Sequence, residues 1–182
     1  MTITGLTLAP IVETERLRLR GRVLDDFAFI NRMWGDPDVT KYIGGKPRPE
    51  EENWTKFLRM IGHWPMMGFG YWLVEEKDTG ALVGEVGFGE FKRKLTPSIK
   101  GEPELGYAFV SAAHGKGYAS EAAMAAVKWG DEFLGTLRMS CIVDLANIAS
   151  VRVAEKCGFE KTGSAVYHGE EIVILHRQAG GQ

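Results

Sequence analysis

Glu104-Leu105-Gly106-Tyr107-Ala108-Phe109-Val110 passes through Ser111, Ala112 and Ala113 into His114-Gly115-Lys116-Gly117-Tyr118-Ala119-Ser120-Glu121-Ala122. The first seven residues alternate, with Leu105, Tyr107 and Phe109 on one side, and read as a strand. The alanine-rich run Ser120–Leu134 reads as a helix, so a glycine-rich turn joins strand to helix. The N–H groups at a helix start have no partner inside the helix, and the macrodipole adds partial positive charge there. Glycines let such a backbone approach a phosphate closely, and Lys116 adds a formal charge, so the turn is an anion-site candidate. A bare Gly-x-Gly is also what a plain tight connection uses, and only context decides. A dinucleotide fingerprint would need a third glycine where Ser120 stands, and a Walker loop would need Gly-Lys-Ser/Thr, which is absent.

Working outward, Arg16-Leu17-Arg18-Leu19-Arg20 alternates with leucines inward and arginines outward, as a strand does. Asp25 is placed to cap a following helix with Leu24, Phe27, Ile30 and Trp34 on one face, broken at Gly35-Asp36-Pro37. After the loop Gly44–Pro47, a second helix is expected over Pro49–Met60, with Trp54, Phe57, Leu58 and Ile61 on one face and Glu50-Glu51-Glu52 in its first turn. Tyr71–Glu76 and Leu82–Phe91 form a hairpin across Lys77–Gly80. Lys92–Pro103 reads as a basic surface loop. Beyond the central helix come a strand, Arg138–Val143, a helix, Asn147–Lys156, and a closing hairpin, Glu160–Tyr167 with Glu170–His176. This order predicts a mixed α/β (α+β) sheet with helices on its faces, not a doubly wound dinucleotide fold.

The chain of 182 residues, 45% hydrophobic and 25% charged, suits a single domain over 1–182 with a core over 11–177. A formal net charge of −2 gives no global field toward nucleic acid or anionic lipid. No apolar run approaches the roughly 18 residues of a membrane span. Met1–Pro10 lacks the basic region of a signal peptide, and Ala179–Gln182 reads as a frayed tail. Cys141 and Cys157 form no CxxC pair, and the four histidines form no metal grouping, so no metal is expected. A reduced, cytoplasmic setting is the expectation.

The turn His114-Gly115-Lys116-Gly117-Tyr118-Ala119 resembles the cofactor loop of the GNAT N-acetyltransferase superfamily, whose pattern is Gln/Arg-x-x-Gly-x-Gly/Ala. Gly115–Ala122 is most similar to the branch that acetylates ribosomal-protein N-termini, the RimJ/RimL type. Two further segments carry the same resemblance: Asn147 and Ser150 with Glu155-Lys156-Cys157-Gly158-Phe159, and the opening Thr14–Arg20 followed by Asp26. It runs from about Ile11 to Arg177. It implies a mostly antiparallel sheet splayed between its fourth and fifth strands, Glu104–Val110 and Arg138–Val143, with helices on both faces. It also implies acetyl-CoA as donor and a primary amine as acceptor, a protein N-terminus or a small molecule, in a monomer or homodimer. A non-catalytic acyl-CoA sensor of the same fold is the alternative.

The resemblance assigns residues to that chemistry. Phe109 and Val110 offer backbone groups to the pantetheine arm, and an N–H near Val110 polarises the thioester carbonyl. His114, Gly115, Lys116, Gly117, Tyr118, Ala119 and Ser120 form the pyrophosphate loop. Asn147 either bonds the pantetheine arm or caps its helix. The tyrosine acid of many members falls at Ala154, so Ser150 becomes the candidate donor to the leaving thiolate, unless its hydroxyl only bonds nearby backbone. Glu104 is the candidate base, with Glu85, Glu90 and Glu170 as rivals. Cys157 is read as a buried thiol because direct transfer needs no covalent intermediate. Trp34, Tyr42, Trp54, His63, Trp64, Met66 and Met67 give the acceptor region its aromatic and apolar surface.

Overall fold

The computed structural model describes residues 8–135 and 138–178. The expected frayed tail at Ala179–Gln182, and most of the Met1–Pro10 stretch, lie outside the described residues. The strands are β1 (Val12–Glu13), β2 (Leu17–Arg20), β3 (Tyr71–Glu76), β4 (Leu82–Gly89), β5 (Glu104–Phe109), β6 (Arg138–Asp144), β7 (Glu160–Tyr167) and β8 (Glu170–Gln178). The helices are α1 (Phe27–Trp34), α2 (Pro37–Thr40), α3 (Glu50–Met67), α4 (Tyr118–Phe133) and α5 (Ile148–Lys156). One sheet carries the strands in the order β1-β2-β3-β4-β5-β6-β8-β7.

Every neighbouring pair is antiparallel except β5 with β6. Those two are parallel and meet at a single register point, Glu104 with Ser140. Beyond it they part, which is the expected splay. The residues of β3 show how the two layers divide, because side chains alternate across a strand. Trp72 and Val74 join Leu17, Leu19, Val86, Phe88, Leu105 and Phe109 beneath α4. Leu73 and Ala108 turn the other way, into a cluster with Phe29, Ile30, Met33 and Trp34 of α1 and Phe57 of α3. Among the described residues, no helix is long and apolar enough to cross a membrane.

Several expectations shift. Leu24 is exposed, because a 3₁₀ turn over Leu24–Asp26 precedes α1. Asp26 rather than Asp25 orders this entry: it accepts from the Val23 N–H at 2.7 Å and from Arg20 through both oxygens at 2.8 Å. Pro37 does not only end a helix. It opens the short α2, with Asp36 accepting from the Asp38 N–H at 2.9 Å.

The second expected helix, α3, continues past Met60 through Pro65 to Met67. Its buried line is Asn53, Phe57 and Trp64, while Trp54, Leu58 and Ile61 stay largely outside. The Trp64 ring packs edge-on to Trp72 and Trp129, 4.8 and 5.4 Å between centroids, which holds the last turn despite the proline. The Lys92–Pro103 segment is not only surface. Leu95 and Ile99 are buried against Ile172 and Ile174 of β8, which folds the segment back over the base of the splay.

Candidate active site

The loop after β5 begins with a 3₁₀ turn, Ser111–Ala113, and reaches α4 through Gly115 and Gly117, both left-handed, at φ 77° and 80°. Only glycine adopts this conformation without strain. The result is a run of six backbone N–H groups, Gly115 to Ser120, with no acceptor among the described residues. The loop is held from below by Arg16. Its guanidinium donates to Lys116 O at 2.9 Å and to Glu121 Oε2 at 2.7 Å, and Glu121 also accepts from Thr14 Oγ1 at 2.6 Å. Thr14, Arg16 and Glu121 therefore fix the cradle without filling it. The Tyr118 side chain faces away, buried, with its hydroxyl donating to Glu76. Lys116 is exposed at the rim. Six aligned amides at the positive end of a helix fit a diphosphate.

The strand side needs a correction. Val110 N–H is not free, because it donates to Val83 O across β4 at 3.0 Å. The pleat then turns the backbone groups of Phe109 and Tyr107 toward the splay, where no β6 residue pairs with them. Phe109, not Val110, thus presents its N–H to the cleft. Its carbonyl accepts from His114 Nε2 at 3.1 Å, so His114 braces the strand end rather than reaching toward the phosphate cradle.

Asn147 caps α5, its Oδ1 accepting from the Ser150 N–H at 3.1 Å. Ser150 Oγ donates to Tyr107 Oη at 3.0 Å, and that phenol donates to Ser150 O at 2.6 Å. Burial, the largest influence, pushes the Tyr107 hydroxyl well up, so it remains a proton donor. Tyr107 is a site residue that the alternation reading had assigned only to packing. Ala154, where many members have tyrosine, is fully buried, and the phenol beside α5 comes instead from β5.

The opposite face of the same strands holds the carboxylates. Glu104 is 6% exposed and accepts from Arg93 through both oxygens, at 2.6 and 2.8 Å. Burial raises its proton affinity and the Arg93 bonds oppose that, with the balance upward. Glu85 is also buried, accepting from Arg22 Nη2 at 2.6 Å and from Trp34 Nε1 at 3.2 Å. Glu90 is tied to Lys92 and the Gly101 N–H, and Glu170 is exposed at the hairpin. Glu85, Glu90 and Glu104 are thus each held by a cation, which the sequence did not indicate.

Between Glu85 and Glu104 lies Tyr71, missed as a site residue because it reads as an ordinary strand aromatic. It is 7% exposed, and its hydroxyl has no hydrogen bond among the described residues. The register aligns Tyr71, Gly87 and Gly106 in one row across three strands. A Cβ at Gly106 would lie 2.0 Å from the Tyr71 hydroxyl, so glycine there lets the phenol lie over β5 at the mouth of the splay. Burial, then the nearby Glu104 and Glu85 charges, hold that phenol protonated. Both cysteines are buried, and burial pushes the Cys157 thiol up to about 11, as expected of a packing thiol.

A cradle of free amides at the head of a splayed parallel pair coincides with a match over residues 16–160 to the acetyltransferase (GNAT) domain. The chain belongs to the GNAT acetyltransferase family. The Bacillus subtilis (strain 168) N-acetyltransferase YoaA is 30% identical over 155 residues, 85% of each chain. A GnaT-family acetyltransferase from Bordetella pertussis has the same architecture, with a TM-score of 0.83 at 25% identity over 93% of this chain and 99% of that one. A spermidine N-acetyltransferase from Vibrio cholerae, solved with CoA and spermine, shares the fold at 18% identity, with a TM-score of 0.73 over 91% of this chain and 97% of that one. As a GNAT domain the chain is built for acyl transfer.

Proposed function

We propose that the protein transfers an acetyl group from acetyl-CoA directly to a primary amine. The observation that carries this reading is the set of six unpaired amides, Gly115–Ser120, opening onto the splay between β5 and β6. Bound there, acetyl-CoA supplies an acyl group activated as a thioester. The amides and Lys116 hold its diphosphate. Phe109 and Tyr107 add their outward backbone groups to its arm, as a strand edge does for an extended chain. Phe109 N–H serves as the donor to the carbonyl oxygen as charge develops there.

Two proton movements fall to side chains on opposite faces. On the α5 face, the Ser150 hydroxyl, positioned by Tyr107, turns to the leaving sulfur, gives it the hydroxyl proton as the C–S bond breaks, and regains a proton from solvent. On the α1/α3 face, the Tyr71 hydroxyl receives the amine, and Glu104 takes the amine's proton through water. A protein N-terminus and a small amine remain the two acceptor classes. A cytoplasmic setting and a monomer or homodimer complete the reading.

Calorimetry with CoA, followed by thiol release from acetyl-CoA over a panel of amines and peptides, tests it. Binding with turnover is the expected result. Absence of CoA binding removes the reading, and tight binding with no turnover on any acceptor favours an acyl-CoA sensor.

A further inference from the structure

Two arginines on the acceptor face carry donors that no carboxylate takes. Arg48 lies in the loop before α3, its backbone N–H donating to Trp34 O at 3.0 Å. Its guanidinium stacks 3.6 Å from the Trp34 ring centroid, and its side chain is 16% exposed. The nearest carboxylate oxygen, on Glu52, is 3.9 Å away, beyond hydrogen-bond reach. Glu52 is held instead by Lys56 at 2.7 Å.

The other anion within electrostatic reach of Arg48 is Glu85, and both its oxygens are already taken, by Arg22 and by the same Trp34. Arg22 is buried to 2% of its side chain, and its Nε–H has no partner. The buried Arg22 and the half-buried Arg48 thus lie about one shared buried carboxylate, each with donors unspent. Lys56 and Arg59, further along α3, add positive charge at the rim. Glu85, which Arg22 holds, lies two residues along β4 from Gly87, the partner of Tyr71, and this joins the cluster to the mouth of the splay.

Burying a guanidinium without a hydrogen-bonding anion is costly unless a ligand supplies one. A dication would find the two buried carboxylates, Glu85 and Glu104, already held by arginines. A carboxylate answers both conditions, since its two oxygens match the planar donors of arginine.

We propose that the acceptor is a free amino acid, an amine that also bears a carboxylate. Its carboxylate docks on Arg48 with the Arg22 N–H behind, and its amine lies at the Tyr71 hydroxyl. This rests on the acetyl-transfer reading above and gives that reading a substrate class.

The test uses the full chain with acetyl-CoA and a panel of the twenty proteinogenic amino acids. Each is supplied as the free acid and as its amide, beside spermidine and O-phosphoethanolamine. At least one free acid is expected to be turned over with kcat/KM tenfold or more above its amide and above spermidine. Arg48→Gln should abolish that difference through KM, and Arg48→Lys should restore part of it. Both variants should keep the wild-type affinity for CoA, which shows that they are folded. Titration of the preferred free acid into CoA-saturated protein should give binding heat that the amide lacks. Equal use of acid and amide, preference for spermidine or for the phosphate ester, or CoA binding with no free acid turned over would each overturn this inference alone. Loss of CoA binding by the wild-type chain would instead remove the reading beneath it.

Discussion

On one side of β5 the cleft is made of backbone, and on the other it is made of side chains. The loop Gly115–Ser120 offers six N–H groups that the chain leaves unpaired, braced from outside by Arg16, Glu121 and Thr14. The α1/α3 face offers Glu104 and Glu85, each locked to an arginine, with the Tyr71 hydroxyl and two under-compensated guanidiniums between and beside them. The first arrangement suits a phosphate-bearing ligand, because backbone amides recognise phosphate whatever the local side chains are. The second is set by individual residues, and a few substitutions there would change what the cleft accepts. In the proposed reaction, donor and acceptor meet across a single strand.

Substitutions on the two sides should separate in what they disturb. The largest expected effect is on stability at the acceptor face. Glu104→Gln leaves Arg93 buried without its anion and should cost roughly 2–4 kcal/mol in chemical denaturation. The same variant tests the base. Because burial lifts the Glu104 carboxyl, the acid limb of kcat/KM should lie above the ordinary carboxylate range near about 4.3, with activity lost as pH falls through it. The variant should lack that limb, and an unchanged profile would take Glu104 out of the chemistry.

Gly117→Glu, on the backbone side, should weaken CoA binding by about a hundredfold by calorimetry. It imposes φ 80° on a side chain and sets a carboxylate beside Arg16, 3.5 Å from the new Cβ, where it competes with the Lys116 carbonyl and Glu121 for the guanidinium that braces the cradle. Retained affinity would break the loop assignment. Ser150→Ala should lower kcat roughly tenfold with little change in affinity for acetyl-CoA, and Tyr107→Phe should act in the same direction. If both leave kcat intact, the Ser150–Tyr107 pair only fastens α5 to β5. The smallest effect is expected at Cys157, where Cys157→Ala should change turnover less than twofold, and neither thiol should react in the native protein at neutral pH.

Legibility followed the same divide. The β5–turn–α4 unit, the leucine–arginine alternation of β2 and both hairpins were readable, because period and glycine placement are local properties. The cradle was readable for the same reason. The helix stripe on α3 was misread because Trp54, Leu58 and Ile61 have the right spacing, yet contact with the sheet chose Phe57 and Trp64. Val110 was misassigned because strand parity depends on the bond to Val83, a partner 27 positions earlier. Tyr107 and Tyr71 could not be recognised as site residues without the Ser150 contact and the row through Gly106.

By itself, then, the amino-acid order determined the sheet-and-helix plan and the glycine turn before α4, since these depend on short-range dihedral preferences and unpaired helix-end amides. Which carboxylates are occupied, which hydroxyls and guanidiniums are left over, and which strand atoms face the cleft were decided only when distant segments packed together. Pairing of charge and hydrogen bonds is a property of neighbours in space, and Arg22 with Glu85, Arg93 with Glu104 and Arg48 with Trp34 become neighbours only in the folded sheet.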